Sequence, residues 1–161
     1  ANVVVYNTGL ESLTAERVKM IGPNSGPFIV TYGDDISNID IRKAIDIHKK
    51  GGGPKITLTV AKVKSNWGHV EVDRFTSGVT AFKEKPYLSD WINAGNWIVD
   101  GELVDTVRNE TLEQWCARIM NKYSVDAYMY DGFFCGMNTY ADYVYLNDLW
   151  NKYGSWEKVS C

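Results

Sequence analysis

Apolar positions along the chain follow two rhythms. Val3-Val4-Val5-Tyr6, Phe28-Ile29-Val30-Thr31-Tyr32 and Ile56 to Val63 are short β-branched and aromatic runs of the kind that form buried strands. Shorter strand-like pieces follow at Val70-Glu71-Val72, Val79 to Phe82 and Trp97 to Val99, and Val125 to Tyr130 alternates in polarity. Helical spacing governs Leu13 to Met20, then a segment placing Ile41, Ala44, Ile45 and His48 on one face, then Thr111 to Lys122. Thr139 to Tyr153 is the final helix, with Tyr143, Leu146 and Trp150 on one stripe. Pro23, Asn24, Gly26 and Pro27 mark a loop, Ser37 and Asn38 are candidate N-caps, and Gly51-Gly52-Gly53-Pro54 stops the second helix. Strand, helix, strand with apolar strands predicts an α/β sheet that is at least partly parallel, and the later short strands predict an antiparallel addition. With no repeat and no low-complexity linker, residues 1–161 are expected to form one domain.

Composition narrows the function. The chain has 161 residues, 45% hydrophobic and 23% charged, which excludes intrinsic disorder. No apolar run approaches the roughly 18 residues that span a bilayer, and Ala1-Asn2-Val3 has no basic region or cleavage pattern, so no membrane partner or secretion leader is expected. A formal charge of −3 argues against a nucleic-acid partner, which calls for a basic excess. Cys116, Cys135 and Cys161 are odd in number, widely spaced and form no CxxC; they are read as thiols of a cytoplasmic protein. Aromatic residues make up 13%, more than a core of this size requires.

Most sites that could carry chemistry have plain structural explanations. Gly51-Gly52-Gly53 lacks the Gly-Lys-Ser/Thr of a phosphate loop and follows a helix. Asn109-Glu110-Thr111 fits a glycosylation sequon by pattern alone. His48 and His69 have no partners at metal-ligand spacing and are read as ordinary polar residues, and no GxSxG, HExxH or cysteine-nucleophile pattern occurs. Three stretches say more. Tyr32-Gly33-Asp34-Asp35 puts carboxylates at the carboxyl end of an apolar strand, where open α/β sheets bind ligands and where an Asp can hold Mg²⁺; a turn or helix cap explains it as well. Phe82-Lys83-Glu84-Lys85-Pro86 offers a point charge for phosphate and an acceptor for sugar hydroxyls, or simply a solvated strand end. Trp91-Ile92-Asn93-Ala94-Gly95-Asn96 interrupts an aromatic strand with small residues and amides, which suits close approach to a ligand or a bulge.

Taken in order, these stretches resemble the sugar-1-phosphate nucleotidyltransferases, most closely the glucose-1-phosphate cytidylyltransferases. The series runs from Thr8-Gly9 through Phe28 to Asp34, Asp40-Ile41, Phe82 to Pro86, Trp91 to Val99, Asp131-Gly132-Phe133-Phe134, and Met137-Asn138-Thr139 to Trp150. The resemblance implies a nucleotide-diphospho-sugar transferase-like, Rossmann-like α/β fold with a mixed sheet, helices on both faces, and an incomplete N-terminus. It implies a reaction in which a sugar 1-phosphate oxygen attacks the α-phosphorus of CTP or another nucleoside triphosphate and pyrophosphate leaves, with Mg²⁺ bridging phosphate oxygens. Carried over residue by residue, Asp34 is a catalytic metal ligand, Lys85 binds the sugar phosphate, and Glu84 and Asn93 contact the sugar. Asn138 stands where the family has its second metal carboxylate, so Mg²⁺ is expected to bind weakly.

Other departures matter too. Ala15-Glu16-Arg17 replaces paired glycines before an arginine, and Asn93-Ala94-Gly95 replaces Asn-Gly-Gly. No Gly-x-Gly-Thr-Arg-like nucleotide loop occurs in the 161 residues, so the isolated chain is expected to be inactive. The alternative is a non-catalytic sugar-phosphate-binding or assembly subunit of the same family; an aromatic-rich glycan-binding module ranks last. Because the resemblance places a further strand beside Phe28 to Tyr32, that segment is expected to be an open edge. The chain should then form a homo-oligomer or pair with a chain carrying the neighbouring strands.

Overall fold

A computed structural model of the protein describes residues 2–23 and 25–159; Cys161 and the Asn24 position of the first loop lie outside them. In chain order the elements are α1 (Thr14–Ile21), β1 (Pro27–Thr31), β2 (Asp35–Ser37), α2 (Ile41–His48), β3 (Lys55–Ala61), β4 (His69–Val72), β5 (Val79–Lys83) and β6 (Ile92–Asp100). A 3-10 helix at Gly101–Thr106, α3 (Leu112–Ile119), β7 (Ser124–Tyr130), β8 (Phe134–Gly136), α4 (Tyr140–Tyr153) and a 3-10 turn at Trp156–Lys158 complete the series.

Four strands form one sheet in the order β1-β6-β3-β7, and β2-β8 and β4-β5 form two-stranded sheets. The fold is mixed α/β, as expected. The main-sheet strands before and after α2, β1 and β3, are not neighbours, because β6 lies between them and pairs antiparallel with β1, Phe28 opposite Val99 and Val30 opposite Trp97. As the open-edge expectation required, β1 ends the strand order and has β6 as its one partner strand among the described residues.

The chain divides into two compact units, residues 1–33, 40–59 and 95–128 in the first and 34–39, 60–94 and 129–161 in the second. The first is organised around Trp97, Trp115, Ile56, Val99, Leu103 and Leu112, on which α1 lays Ala15 and Val18. Burying a side chain of this kind is worth about 1.5–3 kcal/mol, so this cluster holds the unit together. Helix α3 starts where the sequence reads Thr-Leu-Glu-Gln: Gln114 N–H donates to the Thr111 hydroxyl at 3.3 Å and Thr111 N–H donates to Gln114 Oε1 at 3.0 Å, a reciprocal cap. A polar network is buried beside the core. His48 Nδ1 lies 2.9 Å from the Thr57 hydroxyl and His48 Nε2 3.3 Å from Asp100, whose other oxygen accepts Lys55 N–H at 2.9 Å. The Lys55 ammonium pairs with Asp126 at 3.1 Å and also donates to the Lys50 carbonyl. These satisfied bonds, rather than a ligand, account for His48.

The second unit packs Phe133, Leu146 and Val159 against Ile36, Cys135 and Leu149. Helix α4 is capped by Thr139, whose hydroxyl accepts Asp142 N–H at 3.2 Å. Part of the aromatic surplus faces solvent here, with Phe75 fully exposed and Trp67 75% exposed.

Several expectations are corrected. Val3-Val4-Val5-Tyr6 is not a strand; its side chains are exposed, 60% at Tyr6 and 90% at Val5, and a strand needs a neighbour that the described residues do not supply. Ser37 and Asn38 do not cap α2: Asp40 does, accepting Arg42 N–H at 3.0 Å, while Ser37 belongs to β2. The amide-rich stretch from Ile92 forms the first half of β6, and the expected interruption is seen at Gly95, whose φ of +68° breaks the regular strand conformation.

Candidate active site

All five residues singled out for chemistry, Asp34, Glu84, Lys85, Asn93 and Asn138, fall in the second unit. They stand on two groups of elements. The first is the β2-β8 ribbon. Gly33 and Asp34 form the turn that ends β1, and Asp34 is exposed with its carbonyl accepting Met137 N–H at 2.7 Å. Asp35 then enters β2 opposite Gly136, and Asn138 follows two residues later on the way into α4. A Cβ on Gly136 would lie 2.8 Å from Asn138 Nδ2 and 3.2 Å from Asp35 Oδ1, so both side chains close over the same bare face. Burial, and then repulsion from Asp34, push the Asp35 carboxyl above its ordinary value. Asn138 N–H donates to Asp142 at 3.1 Å, so the carboxylate that caps α4 also fixes the backbone at 138.

The second group surrounds the turn after β5. Glu84 and Lys85 are exposed, and Lys85 adopts φ +43°, a left-handed conformation that costs a side-chain-bearing residue about 1–3 kcal/mol. Such strain persists only where neighbours hold it. Here Ser65 N–H donates to the Pro86 carbonyl at 2.8 Å and Leu88 N–H donates to the Val63 carbonyl at 2.9 Å, clamping the turn on the chain that leaves β3. Asn93 is half-buried in β6.

That clamp brings in residues the sequence reading did not single out as site residues. A cavity of about 190 Å³ is lined by Lys62, Tyr87, Asp131 and Gly132. The Lys62 ammonium sits 5.0 Å from the Trp91 ring centre and that of Lys64 5.1 Å from the Tyr87 ring centre. Lys62 and Lys64 are alternate residues just beyond the end of β3, and that local lysine pair is the signal that could have found them. The turn therefore gathers Lys62, Lys64 and Lys85, point charges suited to a phosphate, beside aromatic rings and carboxylates suited to a sugar.

For a divalent cation the fit is good. The β2-β8 ribbon and its ends offer hard oxygen donors at Asp34, Asp35 and Asn138, while its one thiol, Cys135, packs against the Phe133, Leu146 and Val159 cluster; Mg²⁺ takes one or two carboxylates while phosphate and water fill the rest. No cluster of three or more His, Cys, Asp or Glu that could hold a metal occurs among the described residues.

The departures at Ala15 and Glu16 have local explanations. Ala15 is fully buried in the first unit's core, and Glu16 folds back to accept Leu13 N–H at 2.9 Å at the start of α1. The two remaining described cysteines are free thiols, Cys116 buried and Cys135 half-buried, and burial raises the pKa of each.

The family description Nucleotidyl transferase matches residues 10–159. Glucose-1-phosphate cytidylyltransferase of Salmonella typhi is 32% identical over 158 residues, covering 94% of this chain and 60% of that protein. Mannose-1-phosphate guanylyltransferase 1 of Arabidopsis thaliana is 28% identical over 151 residues, 87% of this chain and 42% of its own length. Among solved structures, the inositol-1-phosphate CTP transferase from T. maritima superposes with a TM-score of 0.61 at 15% identity, over 99% of this chain and 69% of that one, a likeness of fold. The chain spans about 60% of the length of the cytidylyltransferases it matches.

Proposed function

The chain belongs to the nucleotidyl transferase family, and from that premise we propose that it carries the sugar-phosphate and cation side of a sugar-1-phosphate nucleotidyltransferase site of the glucose-1-phosphate cytidylyl type. The observation that supports this reading is that Asp34, Glu84, Lys85, Asn93 and Asn138 all belong to one compact unit, where they stand in two local groups, with Lys62 and Lys64 at the Lys85 turn.

In the proposed reaction the sugar phosphate oxygen forms a new bond to the α-phosphorus of CTP. The bond from that phosphorus to the bridging oxygen breaks, and pyrophosphate leaves with the electron pair. Lys85 holds the sugar phosphate by charge, and its turn, fixed by the Pro86 and Leu88 bonds, aims it. Glu84 and Asn93 accept and donate hydrogen bonds to sugar hydroxyls. Asp34 and Asn138 would hold Mg²⁺, which when bound neutralises phosphate oxygens. Asn138, an amide where charge would serve better, also supports a second reading, a subunit of the same family that binds sugar phosphate without turnover.

Isothermal calorimetry on this chain tests the proposal. Glucose 1-phosphate should bind more tightly than CTP, with or without Mg²⁺, because no Gly-rich nucleotide loop occurs in its sequence. Lys85→Ala should abolish glucose 1-phosphate binding. Tight CTP binding with none of the sugar phosphate would sink the assignment. Turnover by the chain would dispose of the second reading.

A further inference from the structure

The charge absent at Asn138 has a neighbour that can replace it. Asp35 is half-buried on β2, directly opposite Gly136, and its Oδ1 comes to 3.2 Å from the place a Gly136 Cβ would occupy, with the Asn138 amide at 2.8 Å from the same point. Gly136 is not among the glycines with positive φ, so the backbone does not require glycine there. What its bareness provides is room, since any side chain would stand between the Asp35 carboxylate and the Asn138 amide. Among the described residues no lysine or arginine forms an ion pair with Asp34 or Asp35. Two adjacent carboxylates, one partly withdrawn from water, thus share the end of the ribbon without a counter-charge.

We infer that Asp35 supplies the second carboxylate of the cation site, in place of the one that position 138 lacks, so that Asp34, Asp35 and the amide oxygen of Asn138 together serve a Mg²⁺ or Mn²⁺ ion. The inference rests on the nucleotidyl-transfer reading and deepens it by relocating one ligand from the entry of α4 to the facing strand. A carboxylate moved across one rung of a two-stranded ribbon keeps the net charge of the site while the residue at 138 becomes neutral. Its amide can still turn its oxygen toward the ion. The arrangement also assigns Gly136 a purpose, since it keeps the meeting point clear.

Manganese alone is the probe, followed by the loss of its free electron paramagnetic resonance signal on titration with the chain. The variants are Asp34→Asn, Asp35→Asn, the exchange Asp35→Asn/Asn138→Asp, and Gly136→Ala, with circular dichroism verifying that each remains folded. Asp35→Asn should weaken Mn²⁺ binding about ten- to a hundredfold, the exchange should return it close to the starting affinity, and Gly136→Ala should weaken it. Unchanged affinity in Asp35→Asn alongside loss in Asp34→Asn would overturn the inference and leave the functional reading intact. If the unaltered chain takes up no Mn²⁺, or Asp34→Asn leaves binding unaffected, the inference falls with the cation site. Glucose 1-phosphate binding then reports on the function independently.

Discussion

Asn38 and Phe133 are joined twice: Asn38 N–H donates to the Phe133 carbonyl at 3.2 Å, and Phe133 N–H donates to Asn38 Oδ1 at 2.9 Å. The same carboxamide oxygen accepts from the Tyr130 hydroxyl, and its Nδ2 donates to the Val159 carbonyl at 3.1 Å. One side chain therefore ties the end of β2, the loop before β8 and the end of the described chain. The backbone bond from Asn38 to Phe133 continues the register that sets Asp35 opposite Gly136. Asn38→Ala leaves the Phe133 and Val159 groups without a side-chain partner, which costs about 1–3 kcal/mol. A urea-midpoint shift of that size, together with weaker Mn²⁺ uptake, is expected. Asn38→Asp keeps the oxygen and should retain the Phe133 bond.

The left-handed conformation of Lys85 sets stability against binding. Glycine adopts that φ without strain, offset by the larger entropy it loses on folding. Lys85→Gly should leave thermal stability equal or raise it by up to about 1 kcal/mol, while glucose 1-phosphate binding disappears. Lys85→Ala removes the charge but keeps the strain. A stability loss in Lys85→Gly would show that the backbone there is not under strain.

Acid should weaken the first unit. The Arg118 guanidinium holds the Glu110 carboxyl below its ordinary value of 4.5, its Nε at 3.0 Å, against burial that pulls the other way. At Asp126, burial likewise raises the value, but the bonds from Lys55 and Ser124 prevail and lower it. A carboxylate with a lowered folded pKa contributes stability above its unfolded pKa and loses that contribution as pH falls through the folded one. Urea midpoints should thus be level near neutrality and decline below about pH 4.5. Glu110→Gln should flatten part of that decline while lowering the midpoint at pH 7. An unchanged slope would place the acid sensitivity elsewhere.

The strands with strong apolar runs and the helices with clear caps were legible in the sequence because their signals are local. Ile56 needs no distant partner to read as buried, and Thr111 and Gln114 cap α3 within four residues. What escaped was non-local. The three-residue strands β2 and β8 have no periodicity of their own and exist because they pair with each other; Asn38, a plausible cap by position, spends its bonds on residues about a hundred positions away. Val3 to Tyr6 failed in the opposite sense, having strand composition without a neighbour among the described residues. At the candidate site the sequence pointed to Asp34, Lys85 and Asn138. Asp35 stood beside Asp34 in the same stretch, but its place opposite Gly136 came from the register, and the place of Lys62 and Lys64 near the Lys85 turn came from the clamp on Pro86.

The last prediction concerns the open side of β1. That strand ends the four-stranded order and leaves Ile29 42% exposed. An edge strand presents unpaired N–H and C=O groups that template further pairing, and proteins blunt such edges with lysine, proline or a bulge. Beyond Pro27, residues 28–31 carry none of these, and the apolar Val3 to Tyr6 segment of the same unit is also exposed. Pairing of two such edges satisfies the backbone and covers apolar surface at once, so the chain should self-associate in a concentration-dependent way through β1. Sedimentation velocity checks this. Ile29→Lys places a charge on the strand without touching its antiparallel register with β6, and should shift the population toward monomer while the circular dichroism spectrum stays the same. A chain that sediments as a monomer at every concentration would mean that the edge is already protected. Association that persists unchanged in Ile29→Lys would move the interface to another surface, where the exposed Trp67 and Phe75 of the second unit are the next place to substitute.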